Sequence, residues 1–405
     1  MSQRSLRGAG GLRLAVPITA RDPTEPERAA TPLELFFDLV FIVAVASAVE
    51  SLHRALARGE VATSVLGFFV AFFALWWAWM NFTWFASAYD SDDVVYRLSM
   101  FVAMVGALIL AAGLPGAFDL RDRWLAALGY VVMRLVLVTQ WLRVARDDPP
   151  RRTTARRFAV GVTACQIGWV AALVLPPGWW LAVAPLGAAA ELLVPVWAES
   201  AGRTPWHPGH IAERYGLFTI IVLGESVLAA SLAIQTATGN GGLTAELLGI
   251  IAGGLLTLFA MWWLYFDRPA DRLDTSTGTA FIWSYGHFPV FASAAAVGAG
   301  LAVAVDGAAG HSRLGPSGSG AAVAVPVAIF LLGMWLVHAR AREAPVRKIA
   351  PLVVVVLVLA ASFSPWPVLT VGLLLSGLVV VKVRAKLTTN ATPDGLHGPP
   401  ASSPS

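Results

Sequence analysis

Long apolar runs recur along this chain at a spacing that leaves very few architectures open. A helix needs about 20 mostly apolar residues to cross a bilayer core roughly 30 Å thick. Twelve stretches meet that requirement: 34–53, 64–86, 98–118, 124–143, 158–175, 178–197, 214–234, 245–266, 281–305, 321–338, 349–363 and 366–381. The last two are short and share Ser364-Pro365, so they could form a helical hairpin that does not fully span. The runs lack the period-2 alternation that a membrane barrel needs. The expected fold class is therefore an all-α integral membrane protein with about twelve transmembrane helices. Composition agrees: 57% of the residues are hydrophobic and 13% charged, where soluble domains carry roughly a quarter charged residues.

The basic residues decide orientation, because cytoplasmic loops are enriched in Lys and Arg. With twelve spans and a cytoplasmic start, 23 of the 29 basic residues fall on the cytoplasmic side, Arg203 and Arg214 after the sixth span among them. Arg54, Arg58, Arg121, Arg123 and Arg313 make up the opposite 5, and Arg134 lies inside a helix. Both termini are thus expected in the cytoplasm. The net charge of +4 follows this loop pattern, so nucleic acid is not an expected partner. Membrane lipids are, together with a small ion or solute; homo-oligomers stay open, and no cofactor is expected. The first thirty residues carry five arginines and no apolar core of the kind a cleavable signal peptide requires.

The chain divides into a mobile tail (1–30), a first six-helix half (31–200), a second six-helix half (201–386) and a second tail (387–405), with 306–320 as a flexible external loop. The two halves share a pattern. Trp76-Trp77-Ala78-Trp79 in the second span matches Trp262-Trp263-Leu264-Tyr265 in the eighth, and acidic stretches follow each: Asp90, Asp92 and Asp93, then Asp267, Asp271 and Asp274. Six helices per unit would make a duplication a pair of parallel repeats, a common transporter plan; tryptophan clustering in an interface belt gives the same pattern.

Ionisable residues at bilayer depth cost free energy and mark pathways, partners or cavities. Asp38, Glu50, Glu191 and Glu225 are the deep acids; Arg134 is the one deep arginine and His287 the titratable ring. One guanidinium against four carboxylates leaves acids that must be protonated or hold cations, which is how proton- and cation-coupled pathways are built. Asp38, Glu225, Glu191, His287 and Arg134 are the expected pathway residues. Glu34 shares a helix face with Asp38 at i,i+4 and could equally serve as a first-turn acid. A pair of Glu225 with Arg134 would be the structural alternative.

Tyr89-Asp90-Ser91-Asp92-Asp93, with Arg97 four residues on, resembles the acid string of isoprenoid cyclases and could bind a divalent cation through oxygens. A solvated loop with Asp93 paired to Arg97 explains the same residues without chemistry. Gly249, Gly253 and Gly254 form a small face for close helix contact. Pro289 should kink its helix, and the single Cys165 fills an apolar run.

Two longer motifs carry a family resemblance. Thr31-Pro-Leu-Glu-Leu-Phe-Phe-Asp-Leu-Val-Phe-Ile-Val-Ala-Val-Ala46 and Ala212-Glu-Arg-Tyr-Gly-Leu-Phe-Thr-Ile-Ile-Val-Leu-Gly-Glu-Ser226 resemble the signatures of the bacterial low-temperature-requirement A (LtrA) family. The resemblance implies a multi-pass bacterial membrane protein with Glu34, Asp38, Glu213, Arg214, Gly224 and Glu225 at motif positions. It implies no particular activity. A transporter or channel that uses the buried carboxylates is the expectation; the alternatives are a membrane enzyme acting on a lipid or isoprenoid through Asp90, Asp92 and Asp93, and a sensor or scaffold without flux.

Overall fold

The computed structural model describes residues 13–25, 28–89, 91–118, 122–267, 277–337 and 345–390. Twelve α-helices account for the described fold, and no strand occurs among the described residues. They are α1 (Pro32–Ala57), α2 (Val61–Tyr89), α3 (Val94–Phe118), α4 (Trp124–Asp147), α5 (Arg152–Ala172), α6 (Trp180–Glu199), α7 (Pro208–Gly241), α8 (Ala245–Phe266), α9 (Thr277–Ala308), α10 (Pro316–Val337), α11 (Pro345–Ala361) and α12 (Pro367–Asn390).

Ten of these helices are long and apolar enough to cross a membrane. The other two are α5, which carries Arg152, Arg156, Arg157 and Gln166, and α11, whose apolar part is only Ile349–Ala361. The short eleventh run was legible in the sequence, whereas the polarity of α5 trims a stretch expected to span.

Local chemistry sets the helix starts. Thr31 and Glu34 form a reciprocal capping box at α1, with Pro32 in the first turn. Thr244 caps α8 through Leu247 N, and Asp93 caps α3 by accepting from Tyr96 N at 2.6 Å. On α1, Phe37, Phe41, Ala44 and Ala48 turn inward, while Phe36, Leu39 and Val43 stay exposed. Large apolar side chains on the outside of a helix bundle are what a hydrocarbon surround accommodates.

Packing in the first half runs α1 on α3, α3 on α4, α4 on α5 and α5 on α6; in the second half α7 packs on α9, α9 on α10, α10 on α11 and α11 on α12. α2 lies between them and touches α1, α3, α4, α7 and α9. Its Trp76, Trp77 and Trp79 are among the largest fully buried side chains. The matching tryptophans of α8, Trp262 and Trp263, are instead exposed. α8 packs closely on α12: a Cβ on Gly253 would collide with the Val368 carbonyl, and Gly372 approaches Gly253 from the other side. The small face thus has its partner, and Gly254 turns to Leu301 of α9. α9 continues through Pro289 to Ala308.

Two segments differ from their sequence-based description. Residues 13–25 and 28–30, expected as part of a tail, are fastened across one end of the bundle. Val16 N donates to Asp93 and Ile18 N to Asp147, and the Ile18 side chain is fully buried. The Arg28 guanidinium reaches the Ser87 and Ala86 carbonyls, and Ala30 N meets Glu213. Composition hid this because much of the strap is held by its backbone amides, which every sequence possesses. The loop expected over 306–320 shrinks to the turn between Ala308 and Pro316, pinned by Arg313 N on the Ala57 carbonyl.

Candidate functional site

Two carboxylates are sealed inside the bundle, one on each side of α2. Asp38 of α1 is fully buried. It takes two hydrogen bonds from Arg214 of α7, at 3.0 Å from Nε and 2.6 Å from Nη2, and a third at 2.7 Å from Trp79 Nε1. Glu34, one turn earlier on α1, lies 3.0 Å from Arg214 Nη1 and 3.1 Å from His210 Nε2. Its other oxygen accepts from Thr31 N at 2.8 Å, so the first-turn reading of Glu34 and the pairing reading hold together.

Arg214 was expected outside the membrane, in the cytoplasmic set. It lies instead two turns inside α7 with 1% exposure. A charge at the edge of an apolar run reads as loop in a hydropathy pattern, and only the carboxylates 176 positions earlier reveal its depth. The inventory of one deep arginine is corrected to two.

The second cluster centres on Glu191 of α6, also fully buried. Its carboxylate accepts from Arg134 Nη2 (2.5 Å), Trp77 Nε1 (2.9 Å), Tyr130 Oη (3.2 Å), Gln166 Nε2 (3.3 Å) and Trp169 Nε1 (3.3 Å). Arg134 therefore belongs to Glu191, and the alternative pair with Glu225 does not form. Such a shell supplies the donors that a carboxylate needs in a medium where an unpaired polar group is costly.

Glu50 is exposed on the outer turn of α1, where Arg54 Nε (3.4 Å) and His53 Nδ1 (3.4 Å) approach it; it is not a deep acid. Glu225 differs from all of these. It stands half-buried at the middle of α7, and no partner to its carboxylate occurs among the described residues. Its neighbour Ser226 is buried and donates to the Ala294 carbonyl of α9 at 2.9 Å.

A family model described as bacterial low temperature requirement A protein (LtrA) matches residues 29–384. The chain belongs to the LtrA family. An uncharacterized protein of Rhizobium meliloti (strain 1021), RA0937, is 32% identical over 287 residues, covering 67% of this chain and 68% of that one. No solved structure matches the chain.

The two LtrA motifs thus meet in space. The first supplies Glu34 and Asp38, the second Arg214, and Glu213 on the opposite side of Arg214 anchors the strap at Ala30. Gly224 is exposed, with open space where a Cβ would stand. His287 of α9 sits against Trp283, Tyr215 and Phe291, its Nδ1 donating to the Trp283 carbonyl at 2.7 Å. Trp79 stacks on Phe218 beside the same rings, so an aromatic block separates the Asp38 pair from the rest of α9. Sequence reasoning missed Trp77, Trp79, Tyr130 and His210 as members of these clusters; the first three signalled only a donor group in an otherwise apolar run, and His210 lay in the polar stretch before the seventh span.

The acidic string comes apart as a site. Asp90 lies outside the described residues, as do Asp271 and Asp274. Asp92 is exposed and pairs bidentately with Arg97 at 2.7 and 2.9 Å. Asp93 is fully buried and turned the other way, onto Arg143 at 2.6 Å and Val16 N at 2.9 Å. The expected Asp93–Arg97 pair is therefore corrected to Asp92–Arg97 and Asp93–Arg143. Asp92 and Asp93 face different partners and share no ligand position, and no group of three His, Cys, Asp or Glu with metal-binding geometry occurs among the described residues. Cys165 is half-buried and free.

Proposed function

We propose that this LtrA protein is a proton- or cation-coupled transporter in which Glu225 is the coupling group. The observation that carries this reading is the contrast among the interior acids. Asp38 and Glu191 each have a guanidinium and further donors, while Glu225 at mid-helix has none. A carboxylate at that depth is neutral or holds a cation, and a group that exchanges between those states is what coupling needs. Asp38, Glu191, Arg134 and His287 then act as the frame around the moving charge. The finer architecture belongs to the same reading: twelve spans in the inner membrane, both termini cytoplasmic, arranged as two six-helix repeats. The serial packing that recurs from α1–α3 to α7–α9 and from α3–α4 to α9–α10 supports the repeats. The unlike partners of α2 and α8 mark where they diverge.

Proteoliposomes given an imposed proton or potassium gradient test the proposal. Wild-type protein should dissipate the gradient, and Glu225→Gln should abolish the flux while keeping its elution profile. Flux that survives the substitution overturns the assignment. A second reading, a sensor or scaffold without flux, is supported by the closed ion pairs at Asp38 and Glu191; a wild-type protein that dissipates neither gradient would favour it.

A further inference from the structure

A small cavity of about 50 Å³ opens at the seam of the two halves, near the end of the bundle where α2 finishes and α9 begins. Its walls come from α2, α4, α5 and α6 on one side and α9 on the other, with the α6–α7 connection across the rim. Trp84, Trp141, Trp206 and Tyr285 supply aromatic surface, and Trp84 and Trp206 meet at 4.8 Å between ring centroids. Glu199 brings a half-buried carboxylate.

The hydrogen bonds around this cavity have a direction. The Thr204 hydroxyl donates to Glu199 Oε1 (2.6 Å), the Ser284 hydroxyl to the Ala280 carbonyl (2.8 Å) and the Tyr285 hydroxyl to the Leu192 carbonyl (3.1 Å). Asn81 Nδ2 donates to the Trp77 carbonyl at 2.7 Å, which leaves its oxygen as an acceptor. Each lining hydroxyl has spent its proton on the protein. Hydroxyl lone pairs, the Asn81 oxygen, the Glu199 carboxylate and aromatic ring faces line the space beside the second Asn81 amide hydrogen and the indole N–H groups, and the carboxylate with the ring faces favours an occupant that donates hydrogen bonds and carries positive charge. Arg203 and Arg151 both lie within electrostatic reach of Glu199, and Arg151 is also held by Asp148 (3.1 Å) and the Arg203 carbonyl (3.2 Å). Size narrows the class further. One water needs roughly 10–15 Å³ on this measure, so the cavity admits a group of a few heavy atoms.

We propose that this seam cavity binds the head of a small organic cation, a guanidinium or primary alkylammonium group, between its aromatic walls and Glu199. The site is separate from Glu225, and its test reads binding alone, so failure here leaves the coupling reading standing and failure there leaves this one.

Calorimetric titration of the purified full-length protein in detergent, with guanidinium, ethylammonium and the neutral isostere urea, decides the matter. Guanidinium or ethylammonium should bind and urea should not. Glu199→Gln should weaken the cation by about tenfold, the loss of one charge-assisted contact. Because Glu199 also holds Thr204, a second variant is needed: Ala280→Leu fills the space from the α9 wall and should abolish binding with the melting temperature kept. Urea binding as well as guanidinium, unchanged affinity in Glu199→Gln, unchanged affinity in Ala280→Leu, or no cation binding to the wild type would each overturn the proposal.

Discussion

Trp77 and Trp79 stand two positions apart on α2 and donate to carboxylates on opposite sides of it, Trp77 to Glu191 at 2.9 Å and Trp79 to Asp38 at 2.7 Å. Helix positions i and i+2 point in nearly opposed directions, so one helix serves two charge clusters that share no other side chain. The clusters should respond to substitution independently, yet unequally. Asp38 has only Arg214 besides its indole, whereas Glu191 keeps four donors when Trp77 is lost. Trp79→Phe is therefore expected to cost about 1–3 kcal/mol, the penalty of an under-satisfied buried acceptor, and Trp77→Phe less. Thermal unfolding in detergent of both single variants and the double variant checks this. An interaction energy well above the roughly 0.5 kcal/mol tolerance for independent sites would refute the separation.

Among the described residues, Arg214 is the sole guanidinium on two acids of α1. Arg214→Gln leaves Glu34 and Asp38 facing each other without their cation, at an expected cost of about 3–5 kcal/mol for a broken buried pair. Arg214→Lys should recover only part, since a single ammonium cannot reproduce the bidentate contact with Asp38. The yield of monodisperse protein in size-exclusion chromatography should rank wild type, Lys, then Gln. A Lys variant equal to wild type would show that charge alone suffices.

Asp92 and Asp93 are adjacent in sequence and opposite in consequence. Asp93 ties Arg143, the α3 start and the strap at Val16 together, so Asp93→Ala should loosen residues 13–25 and speed their cleavage by added protease. Asp92→Ala removes an exposed pair with Arg97 and should change stability by less than about 0.5 kcal/mol. Limited proteolysis followed by mass spectrometry of the N-terminal fragment distinguishes the two, and equal cleavage rates would contradict the geometry.

Glycine substitutions separate packing from propensity. Gly253→Ala forces a methyl group into the α12 backbone and should destabilise the protein by about 1–3 kcal/mol through overpacking. Gly168, in α5, has open space where its Cβ would stand, so Gly168→Ala should be neutral or stabilise by roughly 0.5–1 kcal/mol through helix propensity. The melting temperatures of the two variants should move apart; a parallel drop would mean that α5 has a contact face not evident in the bundle.

The helices themselves were legible because bilayer thickness acts on composition residue by residue, and Thr31 with Glu34 declares the first helix start within four positions. Family membership was legible for a similar reason, since both motifs are contiguous. The charge pairing was not. Arg134 finds Glu191 across 57 positions and Arg214 finds Asp38 across 176, and no periodicity encodes a contact between distant helices. The count of deep charges went wrong at two residues: Arg214, whose position at the edge of an apolar run looked like loop, and Glu50, which is exposed near the end of α1. Glu225 was singled out by depth alone, and what distinguishes it in the fold is the lack of any donor beside it among the described residues.

The strap sets an order of assembly. Its amides are translated first, yet Ile18 waits 129 residues for Asp147 and Ala30 waits 183 for Glu213. During synthesis the leading segment can take its partners on α2 and at the start of α3 first, through Arg28 on the Ala86 and Ser87 carbonyls and Val16 on Asp93. Its fastening over the bundle end is complete only once α4 and then α7 have left the ribosome, so a segment made before α1 settles fully after α7.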